Sequence, residues 1–236
     1  MFKKAKKETI VIDLGGSIVF PNLEGFNLPY LKKLKQFLLK QSNNYRFILV
    51  IGGGKVCRFY QDEAKKVGIK SNDSLDWIGI KTTELNAEFL KHFFNISSEV
   101  ITGPRQKASK EANILISSGW YPGNSTDFIA FKLALIHGTK RVIIATNVPY
   151  IYDKDVNKDK TAKKIEKLSW KEYFSLIKGK SWQAGMSLPI DPKAANLGEK
   201  EKLEVFLLEG NNLANLKKAI NSESFKGTVI KDYQKD

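Results

Sequence analysis

Short, continuous apolar runs alternate along this chain with longer stretches in which apolar residues recur every three or four positions. Thr9 to Leu14 and Phe47 to Ile51 are apolar and rich in β-branched residues, as buried strands are. Between them, Asn27-Leu28-Pro29 opens a helix, with Pro29 tolerated in the first turn. Leu31, Leu34, Phe37 and Leu38 give that helix its apolar stripe, and Asn43-Asn44 ends it. Lys55 to Val67 is a second helix, carrying Val56, Phe59, Tyr60, Ala64 and Val67 at helical spacing. Ser71-Asn72-Asp73-Ser74 caps a long third helix that ends at Phe94. Val100-Ile101 reads as a short strand and Glu111 to Ser117 as a fuller one. A helix ending at Ile136 follows, then a strand from Arg141 to Ala145. Ser169-Trp170-Lys171-Glu172 is a capping box, and Asp191-Pro192 caps a further helix. Leu203 to Leu208 is a strand, Asn212 to Ile220 a helix, and Thr228 to Ile230 a last strand. This alternation predicts a three-layer α/β/α fold with a mostly parallel central sheet.

Glycine marks the ends of the predicted strands. Gly15-Gly16-Ser17 follows the first, Gly52-Gly53-Gly54 the second, and Gly119 to Ser125 the strand that ends at Ser117. Thr146-Asn147 closes the fourth. In open α/β sheets ligands bind at that end of the strands. A glycine turn feeding a helix N-terminus gathers free N–H groups and the positive end of the helix dipole, which suits an anion. Lys55 and Arg58 add cations to the first turn of that helix, and Asp13, Asp127 and Asp155 supply carboxylates. Asp76, Gly79, Thr83 and Asn86 form a polar row on one face of the long helix, fit to line a cleft or to meet solvent. Backbone amides, cations and carboxylates are the equipment of phosphoryl transfer, which needs positioning and charge neutralisation more than covalent chemistry. The chain has no Gly-x-x-x-x-Gly-Lys-Ser/Thr and no Gly-x-Gly-x-x-Gly. Two histidines, His92 and His137, give no hydrolase triad and, with one cysteine, no zinc pattern; no protein-only metal site is expected.

Composition narrows the class. The 236 residues are 42% hydrophobic and 27% charged, an ordinary globular balance with length enough for a real core. No apolar run reaches the roughly 18 residues of a membrane helix. The basic start, Met1 to Lys7, runs into Glu8 and Asp13 without a cleavage site, so no signal peptide is expected. A lone cysteine, Cys57, fits a reducing cytoplasm. The net charge of +14 suits polyanionic ligands. Its spread along the chain argues against a nucleic-acid face. Cys57 is expected as a small buried filler, Trp77, Trp170 and Trp182 as packing residues, and His92 and His137 as structural or surface positions.

Taken together, the motifs resemble the amino-acid kinase superfamily, and within it the archaeal-type uridylate (UMP) kinases. The resemblance rests on Asp13-Leu-Gly-Gly-Ser17, Ile51-Gly-Gly-Gly-Lys-Val-Cys-Arg58, Asp76-Trp-Ile-Gly79 with Asn86-Ala87, Pro122-Gly123 with Ser125-Thr-Asp127, and Ala145-Thr-Asn-Val148 with Tyr152 and Asp155. Asp159-Lys-Thr-Ala162, Ala184-Gly185 and Asp191-Pro192 with Ala194 continue it in the same order. It implies ATP-dependent phosphorylation of UMP to UDP in pyrimidine nucleotide biosynthesis, with Mg²⁺, in a cytoplasmic homohexamer. It implies one domain, residues 1–138 binding the acceptor and 139–236 binding ATP. By the same resemblance Gly53, Asp76, Trp120, Tyr121, Pro122, Gly123, Asn124, Ser125 and Thr126 hold UMP. Gly16, Ser17, Gly54, Arg58, Thr146, Asn147, Tyr152 and Asp155 hold ATP. Asp127 orders the catalytic cations. Asp13 stands where many members carry a lysine, which leaves Lys55 and Arg58 as the local cations.

Two departures keep alternatives open. Pro149-Tyr150 stand where the family usually has Asp-Gly, beside the ATP site, and Trp120-Tyr121 are bulky for an acceptor loop. The first admits a nucleotide-binding or storage protein without turnover. The second admits a kinase of the same fold for another small phosphate or carboxylate.

Overall fold

The central strands are assembled from residues that can be buried on both faces. In the computed structural model, which describes residues 7–154, 159–177 and 188–233, β1 (Glu8–Leu14) is buried from Thr9 onward. The chain continues through α1 (Gly16–Val19), α2 (Leu28–Gln41), β2 (Tyr45–Ile51), α3 (Gly54–Lys66), α4 (Asn72–Phe94), β3 (Ile114–Ser117) and α5 (Thr126–Ile136). Then come β4 (Arg141–Thr146), β5 (Ile151–Tyr152), β6 (Lys164–Ile165), β7 (Lys167–Leu168), α6 (Trp170–Leu176), α7 (Pro192–Lys200), β8 (Glu204–Glu209), α8 (Leu213–Ile220) and β9 (Thr228–Ile230). The main sheet runs β3-β2-β1-β4-β8-β9-β7. It is parallel from β3 to β8, and β9 lies antiparallel to β8.

The period of two along each strand sorts the side chains into two cores. Ile10, Ile12 and Leu14 of β1, with Phe47, Leu49 and Ile51 of β2, pack against Leu31, Leu34 and Leu38 of α2 and against Ala87, Leu90 and Phe94 of α4. Val11, Ile48 and Val50 face the other way, onto Ile129, Ala130 and Phe131 of α5, Trp170 of α6 and Ala194 of α7. Asp13 shares the face of Val11. It therefore lies under the start of α5. Gly198, inside α7, is where Trp170 packs: a Cβ there would also meet Phe131 at 3.1 Å.

Several elements differ from the pattern-based expectation. The strand expected from Glu111 begins only at Ile114, because Arg46 holds the preceding segment as a strap through Nε to the Ala112 carbonyl (3.0 Å). Val100-Ile101 contributes one bridge, Ile101 to Ser117. The charged run after Tyr152 is framed by an antiparallel hairpin, Ile151 with Ile165 and Tyr152 with Lys164. β7 and the four-residue α1 carry no periodic signal at all. In α3 most of the expected stripe turns outward: Phe59 is 44%, Tyr60 56% and Val67 78% exposed. Of that stripe the helix buries Ala64, and beside it Gln61, whose Nε2 donates to the Leu75 carbonyl of α4 (3.0 Å). Trp77 is exposed rather than packed, Trp170 is fully buried, and Trp182 lies outside the described residues.

Candidate active site

A cleft of about 270 Å³ opens at the carboxyl ends of β1, β2 and β4. It lies where the strand order reverses, since β2 and β4 flank β1 on opposite sides. The two glycine turns form its floor, and they are held by backbone packed on backbone. A Cβ on Gly54 would fall 2.7 Å from the Gly16 carbonyl oxygen, and one on Gly16 would fall 2.7 Å from the Gly52 carbonyl carbon. Gly54 also has φ +68°, a left-handed conformation that glycine adopts without strain. Gly15 N donates to the Ala145 carbonyl of β4 (2.9 Å) and Gly52 N to the Leu14 carbonyl of β1 (3.1 Å), tying each turn to the neighbouring strand.

The polar row on α4 faces this cleft and grips both neighbouring loops. Asn86 Nδ2 donates to the carbonyls of Gly52 (3.0 Å) and Gly53 (3.1 Å). Thr83 Oγ1 accepts from Gly119 N (2.9 Å). Asp76 Oδ2 accepts from Gly123 N (2.6 Å), in a turn where Gly123 has φ +73°. Ser125 then caps α5 by accepting from Phe128 N (3.1 Å).

Three carboxylates meet above β1. Asp13, only 2% exposed, has an Oδ1 with no hydrogen-bond partner. Burial pushes its pKa up to about 6, against the opposing pull of the Asp127 and Thr126 side chains and with the help of the Asp191 charge. Asp127 is held well above the carboxylate range by burial first, then by the Asp13 and Asp191 charges. Asp191 N, donating to Asp127 Oδ2 (3.3 Å), opposes that. The Asp191 carboxylate is held by three donors. It accepts from Lys193 N (2.8 Å), Ala194 N (3.1 Å) and Ser125 Oγ. Two carboxyls this close cannot both ionise cheaply, which favours one proton shared between them.

Of the anticipated residues, Asp13, Gly53, Gly54, Arg58, Asp76, Asn124, Ser125, Thr126, Asp127 and Thr146 line the cleft. Lys55 is exposed and does not; its amide donates to the Phe20 carbonyl (3.1 Å). Gly16 is buried beneath Gly52 and Gly54, and Ser17 sits in α1. Asn147 accepts from Thr146 Oγ1 (3.3 Å) at the rim. Tyr152 is half-buried in β5, edge-on to Tyr150 at 6.5 Å. Asp155, like Ala184-Gly185, lies outside the described residues.

The bulk of Trp120 does not enter the acceptor loop's side of the cleft. The indole is 4% exposed in the core, with Nε1 donating to Ser117 Oγ (3.1 Å) and the Ile101 carbonyl (3.3 Å). Tyr121 is exposed, and Pro122 and Gly123 form the turn over Asp76. The Tyr150 ring stacks toward Lys164, whose Nζ lies 5.0 Å from its centroid. Cys57 is half-buried on the cleft wall rather than a core filler, and burial raises its thiol pKa to about 11. His92 is on the surface.

Residues that pattern alone did not place in the site are Asp191, Lys193 and Gln61. Lys193 Nζ donates to the Gly123 carbonyl (3.0 Å) and Asn124 Oδ1 (2.6 Å), joining α7 to the loop after β3. Asp191-Pro192 was legible as a cap. Its grip on Ser125 was not.

The profile of the amino acid kinase family matches residues 8–209. Among curated proteins, the chain is 34% identical over 228 residues to the uridylate kinase of Methanocaldococcus jannaschii, covering 94% of this chain and 98% of that one. It is 31% identical over 225 residues to the uridylate kinase of Methanosarcina barkeri, covering 94% and 95%. The crystal structure of uridylate kinase from Archaeoglobus fulgidus superimposes with a TM-score of 0.77 at 28% identity, over 94% of this chain and 99% of that one. The UMP kinase of Bacillus anthracis shares the fold, with a TM-score of 0.76 at 19% identity over 96% and 97%.

Proposed function

This chain belongs to the amino acid kinase family, and we propose that it transfers the γ-phosphoryl group of ATP to UMP, giving UDP in pyrimidine nucleotide biosynthesis. The observation that carries the reading is the cleft itself. Two interlocked glycine turns, a helix N-terminus and the Asp13–Asp127 pair converge at the carboxyl ends of a parallel sheet, in a chain whose relatives are uridylate kinases.

The halves divide the work: residues 1–138 hold the acceptor and, through the first two glycine turns, reach the ATP phosphates, and 139–236 hold the rest of ATP. Asp76, Gly53 and Asn124 to Thr126 bind UMP, with the free oxygen of Asp76 available to a ribose hydroxyl. Trp120 supports this loop from beneath, and Tyr121, Pro122 and Gly123 shape it. Gly16, Ser17, Gly54, Thr146, Asn147, Tyr152 and Asp155 serve ATP. Arg58, on the cleft wall, neutralises the transferring phosphoryl group, with Lys55 close by at the start of α3. The acceptor oxygen belongs to a phosphate and is already anionic, so no general base is needed.

The donor set suits a divalent cation that arrives with the nucleotide. Among the described residues no group of three or more His, Cys, Asp or Glu is arranged to hold a metal ion. Mg²⁺ characteristically uses one or two carboxylates plus substrate phosphates. The partnerless Oδ1 of Asp13 and the raised Asp127 fit that role. When bound, Mg²⁺ supplies charge neutralisation across the phosphates. Asp13 and Asp127 would hold it, giving up the proton that they share. Asp191 keeps Asp127 in place through its amide.

We further infer a cytoplasmic homohexamer. The outward Phe59 and Tyr60 of α3 and the exposed Leu28 and Leu39 of α2 are apolar surface a second copy would cover; no described helix is long and apolar enough to cross a membrane.

The test is Mg²⁺-dependent ATP consumption against UMP, CMP, dTMP, acetylglutamate, aspartate and isopentenyl phosphate. Turnover with UMP alone is expected. Preference for another member of the panel overturns the acceptor, and ATP binding without any turnover overturns the kinase reading.

A further inference from the structure

One part of the cleft wall is not explained by phosphate chemistry. Cys57 and Gln61 of α3 line it together with Asp76, Gly79 and Thr83 of α4. Gly79 lets the two helices come close: a Cβ there would fall 3.0 Å from Gln61 Nε2 and 3.4 Å from Cys57 Sγ. Gln61 is only 5% exposed. An amide so buried is costly to keep unless both of its ends find partners.

Only one end has a partner in the fold. Nε2 donates to the Leu75 carbonyl (3.0 Å). A carbonyl can only accept, so this bond fixes the amide with Oε1 turned the other way. Oε1 accepts no hydrogen bond among the described residues, yet it is not sealed in the interior. It opens onto the cleft that Gln61 lines. Asp76 repeats the arrangement. Its Oδ2 accepts from Gly123 N (2.6 Å), and its other oxygen has no partner among the described residues. Gln61 is bonded to the residue immediately before Asp76, so the two unused oxygens stand at the same end of α4.

Two neighbouring acceptors call for a ligand with two neighbouring donors. Phosphate offers none, whereas the cis-diol of a ribose offers two O–H groups. The chain also fixes where a sugar would lie. Arg58 and Gln61 are three residues apart and share one side of α3. With the phosphate of the acceptor at Arg58, beside the glycine turn, the next group lies about 4.5 Å further along the helix, at Gln61.

We propose that Gln61 is a specificity-determining residue for the acceptor. Its Oε1 accepts from one hydroxyl of the ribose 2′,3′-diol and Asp76 accepts from the other, so that the cleft selects ribonucleotides over deoxyribonucleotides. This rests on the UMP reading and adds the sugar to it.

Isothermal titration of the full chain with UMP, 2′-deoxy-UMP and 3′-deoxy-UMP tests it. Each deoxynucleotide loses one of the two bonds, so both should bind the parent more weakly than UMP, each by about tenfold. Gln61→Met keeps the length and the apolar stem of the side chain and removes the oxygen. It should weaken UMP about tenfold and leave unchanged the one deoxynucleotide that lacks the hydroxyl held by Oε1. In turnover the UMP KM should rise at constant kcat. An equal loss for all three ligands overturns the proposal, since a contact to the base or a purely structural amide would act on them alike. Should the variant not fold, the parent still decides: discrimination against only one deoxynucleotide, or against neither, overturns it. A parent that discriminates against both but makes no UDP overturns the kinase reading and leaves the sugar site standing. A parent that does not bind UMP overturns both.

Discussion

The glycine turns after β1 and β2 and the loop after β3 bound the same cleft, yet they are built in different ways. The turns are set by backbone against backbone: Gly16, Gly52 and Gly54 stand too close to one another for any side chain. The loop from Gly119 to Ser125 is set by side chains reaching in from elsewhere, Thr83 and Asp76 from α4 and Asp191 and Lys193 from the start of α7. Steric exclusion is all-or-none, whereas hydrogen bonds are graded. The floor of the cleft therefore tolerates nothing, and the loop can be tuned one contact at a time.

The sharpest way to break that contrast is Gly52→Ala or Gly16→Ala. Each forces a Cβ into the opposite backbone, and a loss of more than about 3 kcal/mol is expected. A urea melt reads it, and an unchanged midpoint would mean the two turns separate freely. Asp127→Asn should leave the melt near the parent while lowering kcat at least about a hundredfold, the scale of losing one preorganised charged group. Asn86→Ala lies between the two regions, since Asn86 holds the glycine turn with a side chain. Leaving the Gly52 and Gly53 carbonyls without their donor should cost about 1–3 kcal/mol.

Acidity offers a subtler probe. Asp13 binds its proton more tightly in the folded protein, with its pKa raised from 3.8 to about 6. The folded state therefore holds more protons across that interval, and stability falls as pH rises through it. Thermal melts of the nucleotide-free protein should show this decline. Asp13→Asn should flatten it, and Mg²⁺ with nucleotide should offset it above pH 6. The smallest effect is expected from Lys193→Ala. Its ammonium is exposed and bonded to neutral oxygens, so stability should change by less than about 0.5 kcal/mol. The loop it tethers should loosen, seen as a few-fold rise in the UMP KM at constant kcat.

Much of the fold could be read from the chain. β1, β2, α2, α4, α5, β4, α6, α7, β8 and α8 are long and periodic, or capped by Ser71, Ser125, Ser169 and Asp191, and local chemistry suffices for them. The two-residue strands β5, β6 and β7 could not be read, because they exist only through pairing with distant partners. The exposure of Phe59 and Tyr60 was hidden as well. Helical spacing marks a stripe but not which of its residues face inward, and α3 buries only Ala64 of the stripe, beside Gln61, whose amide reaches α4. In the site, Asp13, Asp76, Arg58 and Asp127 stood out as polar groups at strand ends or on a polar helix row. Asp191 and Lys193 did not, since their role lies in bonds to Ser125 and Gly123 more than 60 residues away.

By itself the sequence determined the alternation of strands and helices, the glycine turns at the strand ends, and the chemistry available there. Those follow from φ/ψ preferences, side-chain periodicity and capping, which act over a few residues. Only the tertiary structure decided that Gly16 lies on Gly52 and Gly54, that Asp13 meets Asp127 and Asp191, and that the Trp120 indole turns from the cleft into the core. Those outcomes depend on which strands pair and which helix ends abut, and burial then gives the meeting groups an acidity that none has in the extended chain.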